Sequence, residues 1–167
     1  MALNLDGAPR LFPIIGDPII YAKSPAVFSA GLAARGHNAL CVPLEVPDQA
    51  LDAVMRGLGA SRNADGVLVT MPHKFTVFPY CATATDTSRL LRAVSVLRRN
   101  RDGGWHGDQM DGQAFVATQI AGGAAPKGAR VLVLGAGGAG SAIAIRLLEV
   151  GVGELIIRVQ TRRGRRN

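Results

Sequence analysis

Two stretches of this chain have residue types and spacing suited to chemistry. The first is Val69-Thr70-Met71-Pro72-His73-Lys74, where a fully apolar strand pattern runs into a proline turn that carries a lysine. A Lys just past such a strand is placed to meet a ligand at the strand's carboxyl end, where open α/β sheets bind their ligands. Hydride transfer to or from a carbinol carbon needs a group that gives or takes the hydroxyl proton. A Lys tuned by its surroundings can do that, with Asp111 as a candidate partner; a solvated surface charge is the alternative. The second stretch is Gly135-Ala136-Gly137-Gly138-Ala139-Gly140, a G-x-G-x-x-G between an apolar strand, Arg130–Leu134, and an apolar helix, Ala142–Val150. Glycines there let the backbone approach a pyrophosphate, and the helix N-terminus offers unpaired N–H groups to it. A tight turn without a ligand is the alternative. An acid at the end of the next strand, Glu154–Val159, would favour NAD. None follows Glu154, and Arg162 and Arg163 lie nearby, which leans toward NADP with NAD as the alternative.

The elements that must position these residues alternate between strand and helix. Leu11–Gly16 is a short apolar run ending in Gly-Asp-Pro, a buried strand and a turn. Ser24 suits an N-cap and Pro25 the first helical position, so a helix is expected to about Arg35, stopped by Gly36. Ala39–Val46 reads as a strand. Leu51, Val54, Met55 and Leu58 share one helical face, and Gly66–Thr70 is a third strand. Short helical pieces are expected after Lys74, with Asp86 or Thr87 as a cap before Arg89–Ala93. Val94–Arg99 and Trp105–Gly107 read as strands joined at Asp102-Gly103-Gly104. Asp111-Gly112 opens a helix to about Ile120. This order implies an α/β fold with a mostly parallel sheet, followed by the first βαβ unit of a Rossmann-like domain.

Composition narrows the function classes. Apolar residues make up 48% of the 167 residues, which is enough to bury a core and excludes a disordered chain. The net charge is +7, but the last ten residues hold five Arg and no acid. Basicity is therefore mainly a property of the tail, and without interleaved aromatics it gives little ground for nucleic-acid binding. Cys41 and Cys81 have no metal-like spacing and read as free buried thiols. His37, His73 and His106 lie too far apart for a metal signature; His73 reads as structural or solvent-facing. Arg98, Arg99 and Arg101 flank a turn and read as a solvated edge. No apolar run suggests a signal peptide or a membrane span, which fits a cytoplasmic protein.

Gly16-Asp-Pro, Ser24-Pro25, Val69-Thr-Met-Pro-His-Lys74, Ala93-Val94, Gly107-Asp-Gln-Met-Asp111-Gly112 and Gly135-Ala-Gly-Gly-Ala139 resemble, in order and spacing, the shikimate dehydrogenases and their quinate-active relatives. The resemblance covers about residues 11 to 161. It implies an NADP-dependent interconversion of 3-dehydroshikimate and shikimate, or of a related cyclic polyol acid. In it Lys74 matches the catalytic lysine and Asp111 its partner, and Ser24 and Thr70 match substrate-holding positions. Gly135, Ala136, Gly137, Gly138 and Ala139 match the phosphate loop, with Thr161 and Arg162 expected near the cofactor's adenosine phosphate. A small-molecule substrate, no nucleic acid, no membrane and a homodimer are the partner expectations. The sequence departs from the family pattern at Ala22, where a Ser is usual, and at Leu68 and Ser95, where Asn is usual. Gln109-Met110 stands where the family has Asn-Thr. Ser95 is retained as a substrate-binding candidate, and the departures suggest an altered substrate preference.

The expected organisation is a substrate-binding domain over residues 1–120, a linker over 121–128, and the start of an incomplete dinucleotide-binding domain over 129–167. The rival expectation is a non-catalytic fragment or pseudoenzyme that keeps a substrate-binding module.

Overall fold

The structure is a computed structural model and describes residues 6–159. The chain folds as two compact units, one ending at Asp108 and the other beginning at Gln109.

The first unit contains β1 (Arg10–Gly16), α1 (Ser24–Ala34), β2 (Ala39–Glu45), a 3₁₀ turn at Asp48–Ala50, α2 (Leu51–Ala60) and β3 (Gly66–Val69). A second 3₁₀ turn at Phe78–Tyr80 leads to β4 (Cys81–Ala84), α3 (Asp86–Leu91), β5 (Val96–Arg99) and β6 (Trp105–Asp108). The strands form one six-stranded sheet in the order β2-β1-β3-β5-β6-β4. β1 runs parallel to both β2 and β3, and β4 parallel to β6, while β5 is antiparallel to its two neighbours. The sheet is thus mostly parallel, as the alternation of elements predicts.

Strand side chains alternate between faces, and the two faces of this sheet differ in cover. Ile15, Val67, Val69, Leu97 and Trp105 form the main core with Leu51 and Met55 of α2, while Val54 and Leu58 pack partly against it. These are the four α2 positions that the helical period selects. On the other face lies α1, which buries none of its residues. Its Phe28 meets Phe12 of β1 edge-on at 5.6 Å between ring centres, but Val27 remains 72% exposed.

Local differences from the sequence reading have physical causes. Cys81–Ala84, expected among helical pieces, is a strand because it pairs with β6 more than twenty residues away; strand formation follows such partners more than local preference. Helix α3 is capped by Thr85, whose hydroxyl accepts from the Ser88 N–H, one residue ahead of the expected caps. Ser24 lies inside α1 rather than capping it, because Lys23 already has helical backbone angles. Gly36, at φ +74°, ends that helix as expected. Arg99 is not a solvated edge. Its guanidinium donates to the carbonyls of Leu58 at 2.8 Å, Gly59 at 3.1 Å, Ser61 at 3.1 Å, Ala64 at 2.8 Å and Gly103 at 3.1 Å, and it lies 4.4 Å over the Trp105 ring. One side chain thereby supplies donors to the open carbonyls at the end of α2 and ties them to the β5–β6 hairpin.

The second unit contains α4 (Asp111–Ala121), β7 (Arg130–Leu134), α5 (Gly138–Glu149) and β8 (Glu154–Arg158). β7 and β8 pair in parallel. Helix α4 groups with α5 in this unit, whereas the sequence reading placed it with the first. The reason is a close backbone approach. A Cβ on Gly112 would lie 2.1 Å from the Ala142 carbonyl oxygen, so the helices meet at a glycine and an alanine, with Val116 and Leu147 buried as well. Among the described residues no helix is long and apolar enough to cross a membrane.

Candidate active site

The site in the first unit is assembled by backbone hydrogen bonds at the carboxyl ends of β1 and β3. The Thr70 N–H donates to the Ile15 carbonyl at 3.0 Å, and the Asp17 N–H donates to the Met71 carbonyl at 3.0 Å. The Gly16-Asp-Pro and Thr70-Met-Pro turns therefore lie side by side. Gly16 is required there, since a Cβ would sit 2.4 Å from Thr70 Cγ2 and 2.8 Å from the Met71 carbonyl oxygen. Beyond β3, the Val94 N–H donates to the Lys74 carbonyl at 2.8 Å, the Val69 N–H to the Ser95 carbonyl at 2.8 Å, and the Ser95 N–H to the Asp108 carbonyl at 2.9 Å. Thr70, Lys74 and Ser95 are gathered in this way at one end of β3, with Lys74 half-buried and Ser95 buried.

Ser24 stands at the first turn of α1. It lines a cavity of about 710 Å³ with Lys23, Val27, Phe28, Arg35 and Leu68, among others. Leu68 thus points to the α1 face, opposite the core residues Val67 and Val69, as strand alternation requires. Ala22 lines a second cavity of about 540 Å³, which also takes Lys23 and Val27 into its wall. An apolar cavity with Lys23 and Arg35 among its lining residues suits a ligand that combines an apolar body with an anionic group. Two of the family departures, Ala22 and Leu68, therefore line cavities rather than the core. His73 takes the structural alternative: it is fully buried, and its Nε2 lies 2.6 Å from the Val46 carbonyl oxygen. Burial pushes the Cys41 and Cys81 thiols up to about 11, which leaves them poor nucleophiles near neutral pH.

In the second unit, Asp111 is the first residue of α4. The preceding Gln109, which the sequence reading noted only as a departure, is buried. Its Oε1 accepts from the Asp111 N–H at 3.1 Å and its Nε2 donates to the Gly138 carbonyl at 3.3 Å, so one buried amide joins the starts of α4 and α5. Nothing local signals this, because the partners lie on different helices. The glycine loop has the expected strand–turn–helix setting. Gly135 has φ +100°, which favours glycine. A Cβ on Gly140 would lie 2.2 Å from the Gly135 carbonyl oxygen. A Cβ on Gly135 or Gly137 would meet nothing within 4 Å among the described residues, so open space borders the loop where α5 begins, and the N-cap residue, Gly137, has no side chain to cap that helix end. The backbone of Gly135, Ala136, Gly137, Gly138 and Ala139 consequently fits a pyrophosphate. Thr161 and Arg162 lie outside the described residues.

Residues 14–97 match the model of the shikimate dehydrogenase substrate binding domain. The chain belongs to that family. Among its relatives is a shikimate dehydrogenase (NADP(+)) of Rubrobacter xylanophilus, 38% identical over 95% of this chain and 55% of the relative. A second, from a Synechococcus strain, is 35% identical over 90% of this chain and 51% of the relative. The fold is similar to that of a shikimate 5-dehydrogenase from Listeria monocytogenes solved in complex with shikimate and NAD. That match has a TM-score of 0.85 and 28% identity, and covers 98% of this chain and 56% of that one. A 5-ketofructose reductase of Gluconobacter is also similar, with a TM-score of 0.79 and 28% identity over 91% of this chain and 54% of that one. The chain spans about half the length of the curated relatives it matches.

Ser24, Thr70, Lys74 and Ser95 all lie inside the span that matches the shikimate dehydrogenase substrate-binding domain. Asp111 and the glycine loop lie beyond it, in the second unit. The family frame therefore bears directly on the first group, and the second group rests on its own geometry and on the longer pairwise similarities.

Proposed function

We propose that this chain is the substrate-holding part, with the phosphate-binding start of the cofactor domain, of a cytoplasmic shikimate dehydrogenase-like oxidoreductase. The reaction is the NADP-dependent interconversion of 3-dehydroshikimate and shikimate, or of a related cyclic polyol acid. The observation that carries this reading is the gathering of Thr70, Lys74 and Ser95 at the carboxyl end of β3, inside the matched span. Ser24, Thr70 and Ser95 hold the substrate through hydroxyl groups. Lys74 gives the proton to the carbonyl oxygen on reduction and takes it from the hydroxyl on oxidation, with Asp111 as the carboxylate that keeps the lysine in its working state. The Gly135–Ala139 backbone holds the pyrophosphate, and Thr161 and Arg162 serve the adenosine phosphate. NADP, when bound, supplies or accepts the hydride at its nicotinamide ring; NAD is the alternative. A homodimer belongs to the same proposal, as does the order of a substrate-binding domain followed by the start of a dinucleotide-binding domain.

A second reading is a substrate-binding module without turnover: the family model that matches is that of the substrate binding domain, over residues 14–97. Calorimetric titration of the chain with shikimate and NADPH, together with a spectrophotometric assay of shikimate-dependent NADP reduction, tests both. Saturable shikimate binding with turnover that Lys74→Ala abolishes supports the enzyme; binding without turnover supports the module. Absence of binding both for shikimate and for quinate, titrated in the same way, sinks both.

A further inference from the structure

We propose that His73 is a positioning residue for Lys74: its buried ring ties the turn that carries Lys74 to the end of β2. The importance of that turn rests on the functional reading of Lys74, but the geometry stands independently. His73 is 0% exposed, although Met71, Pro72 and Phe75 around it are exposed. Burial of an imidazole is unfavourable unless its polar atoms are met. Nε2 lies 2.6 Å from the Val46 carbonyl oxygen; a carbonyl only accepts, so Nε2 is the protonated, donating nitrogen. Nδ1 makes no hydrogen bond among the described residues and lies 3.4 Å from Asp48 Oδ1, at the start of the 3₁₀ turn that follows β2.

The segment between β3 and the Phe78–Tyr80 turn belongs to no strand or helix, so its position depends on individual bonds. The His73 N–H donates to the Thr70 carbonyl at 3.0 Å, and the Val77 N–H donates to the His73 carbonyl at 2.9 Å. These bonds shape the turn from within. Others tie it to neighbouring segments: the Asp17 N–H to the Met71 carbonyl, the His73 ring to Val46 just past β2, and the Val94 N–H to the Lys74 carbonyl. An apolar side chain of equal size would fill the same buried space, so packing alone does not call for a nitrogen here. The ring's hydrogen bond adds a fixed distance between the end of β2 and the backbone next to Lys74.

The test compares His73→Phe, which keeps size but loses the donor, with His73→Gln, which returns an amide nitrogen at the reach of Nε2. Amide hydrogen exchange at Val77 and Val94 is read against Val69, whose N–H bonds within the sheet, and shikimate affinity is measured in parallel. We expect His73→Phe to speed exchange at Val77 and Val94 by about tenfold relative to Val69 and to weaken shikimate binding by about tenfold, the scale of one lost hydrogen bond. His73→Gln should recover most of both. Parental exchange and affinity in His73→Phe, or equal losses in the two variants, overturns the proposal. Should His73→Phe not fold, His73→Asn makes the same comparison with Gln, since its amide is polar but too short to reach Val46. A parent chain that binds no shikimate counts against the functional reading alone, and the exchange ratios still decide the role of His73.

Discussion

Arg99 and Leu68 show how one side chain can have a role opposite to what its type suggests. Arg99, a cation beside a turn, meets five carbonyls and the Trp105 ring. Removing it strips their donors from carbonyls at the end of α2, and hydrogen bonds to charged groups are worth more than neutral ones. Arg99→Ala is expected to lower stability by about 2–3 kcal/mol, measured as a shift of the urea midpoint. Arg99→Lys should recover only part, because an ammonium lacks the planar fork. Leu68, an apolar residue in a buried strand, lines the α1 cavity with Ser24. There it offers a ligand no hydrogen bond, and Ala22 offers none in the neighbouring cavity. On the proposed function, an Ala22→Ser, Leu68→Asn double variant should bind shikimate about tenfold more tightly than the parent or better, the value of one or two recovered hydrogen bonds. Calorimetry reads this directly; unchanged affinity would mean that these two positions do not set the preference.

Contacts between elements are set by small residues where backbones come close. Helices α4 and α5 meet at Gly112, where a Cβ would lie 2.1 Å from the Ala142 carbonyl oxygen and 2.6 Å from its carbon. These are backbone atoms and cannot swing aside as a side-chain tip could. Gly112→Ala must therefore push the helices apart, even though alanine favours helix formation by itself. We expect a net loss of about 1–3 kcal/mol, the usual range for overpacking, seen as earlier thermal unfolding of the second unit by near-neighbour NMR signals of α4 and α5. Stabilisation by the substitution would show that helix propensity outweighs the contact.

At the scale of the whole molecule, apolar surface is covered unevenly. In the second unit, Leu132 and Leu134 of β7 and Ile156 and Ile157 of β8 are exposed, Leu134 to 74%. A parallel pair of strands with open faces has little to hold its ladder closed. Amide exchange is expected to be faster along Arg130–Leu134 and Glu154–Arg158 than along Gly66–Val69, whose flanking core is buried. Local opening follows where buried apolar contacts are few. Equal protection in both regions would show that something covers the β7–β8 faces in solution, and sedimentation would then distinguish a second copy from a monomer.

The sequence by itself determined the order of strands and helices apart from β4, the α2 face, the β5–β6 hairpin, the glycine loop and the residues of the lysine turn. These follow from periodicity, turn chemistry and short motifs, all of which act between near neighbours in the chain. Tertiary structure alone decided that Cys81–Ala84 is a strand, that Arg99 caps α2, that His73 is buried against Val46, that Gln109 joins two helices, and that α4 belongs with α5. Each of these depends on a partner twenty or more residues away. A hydrogen bond or a close backbone approach over such a separation leaves no period in the local sequence, because its partner is fixed only when the chain has folded.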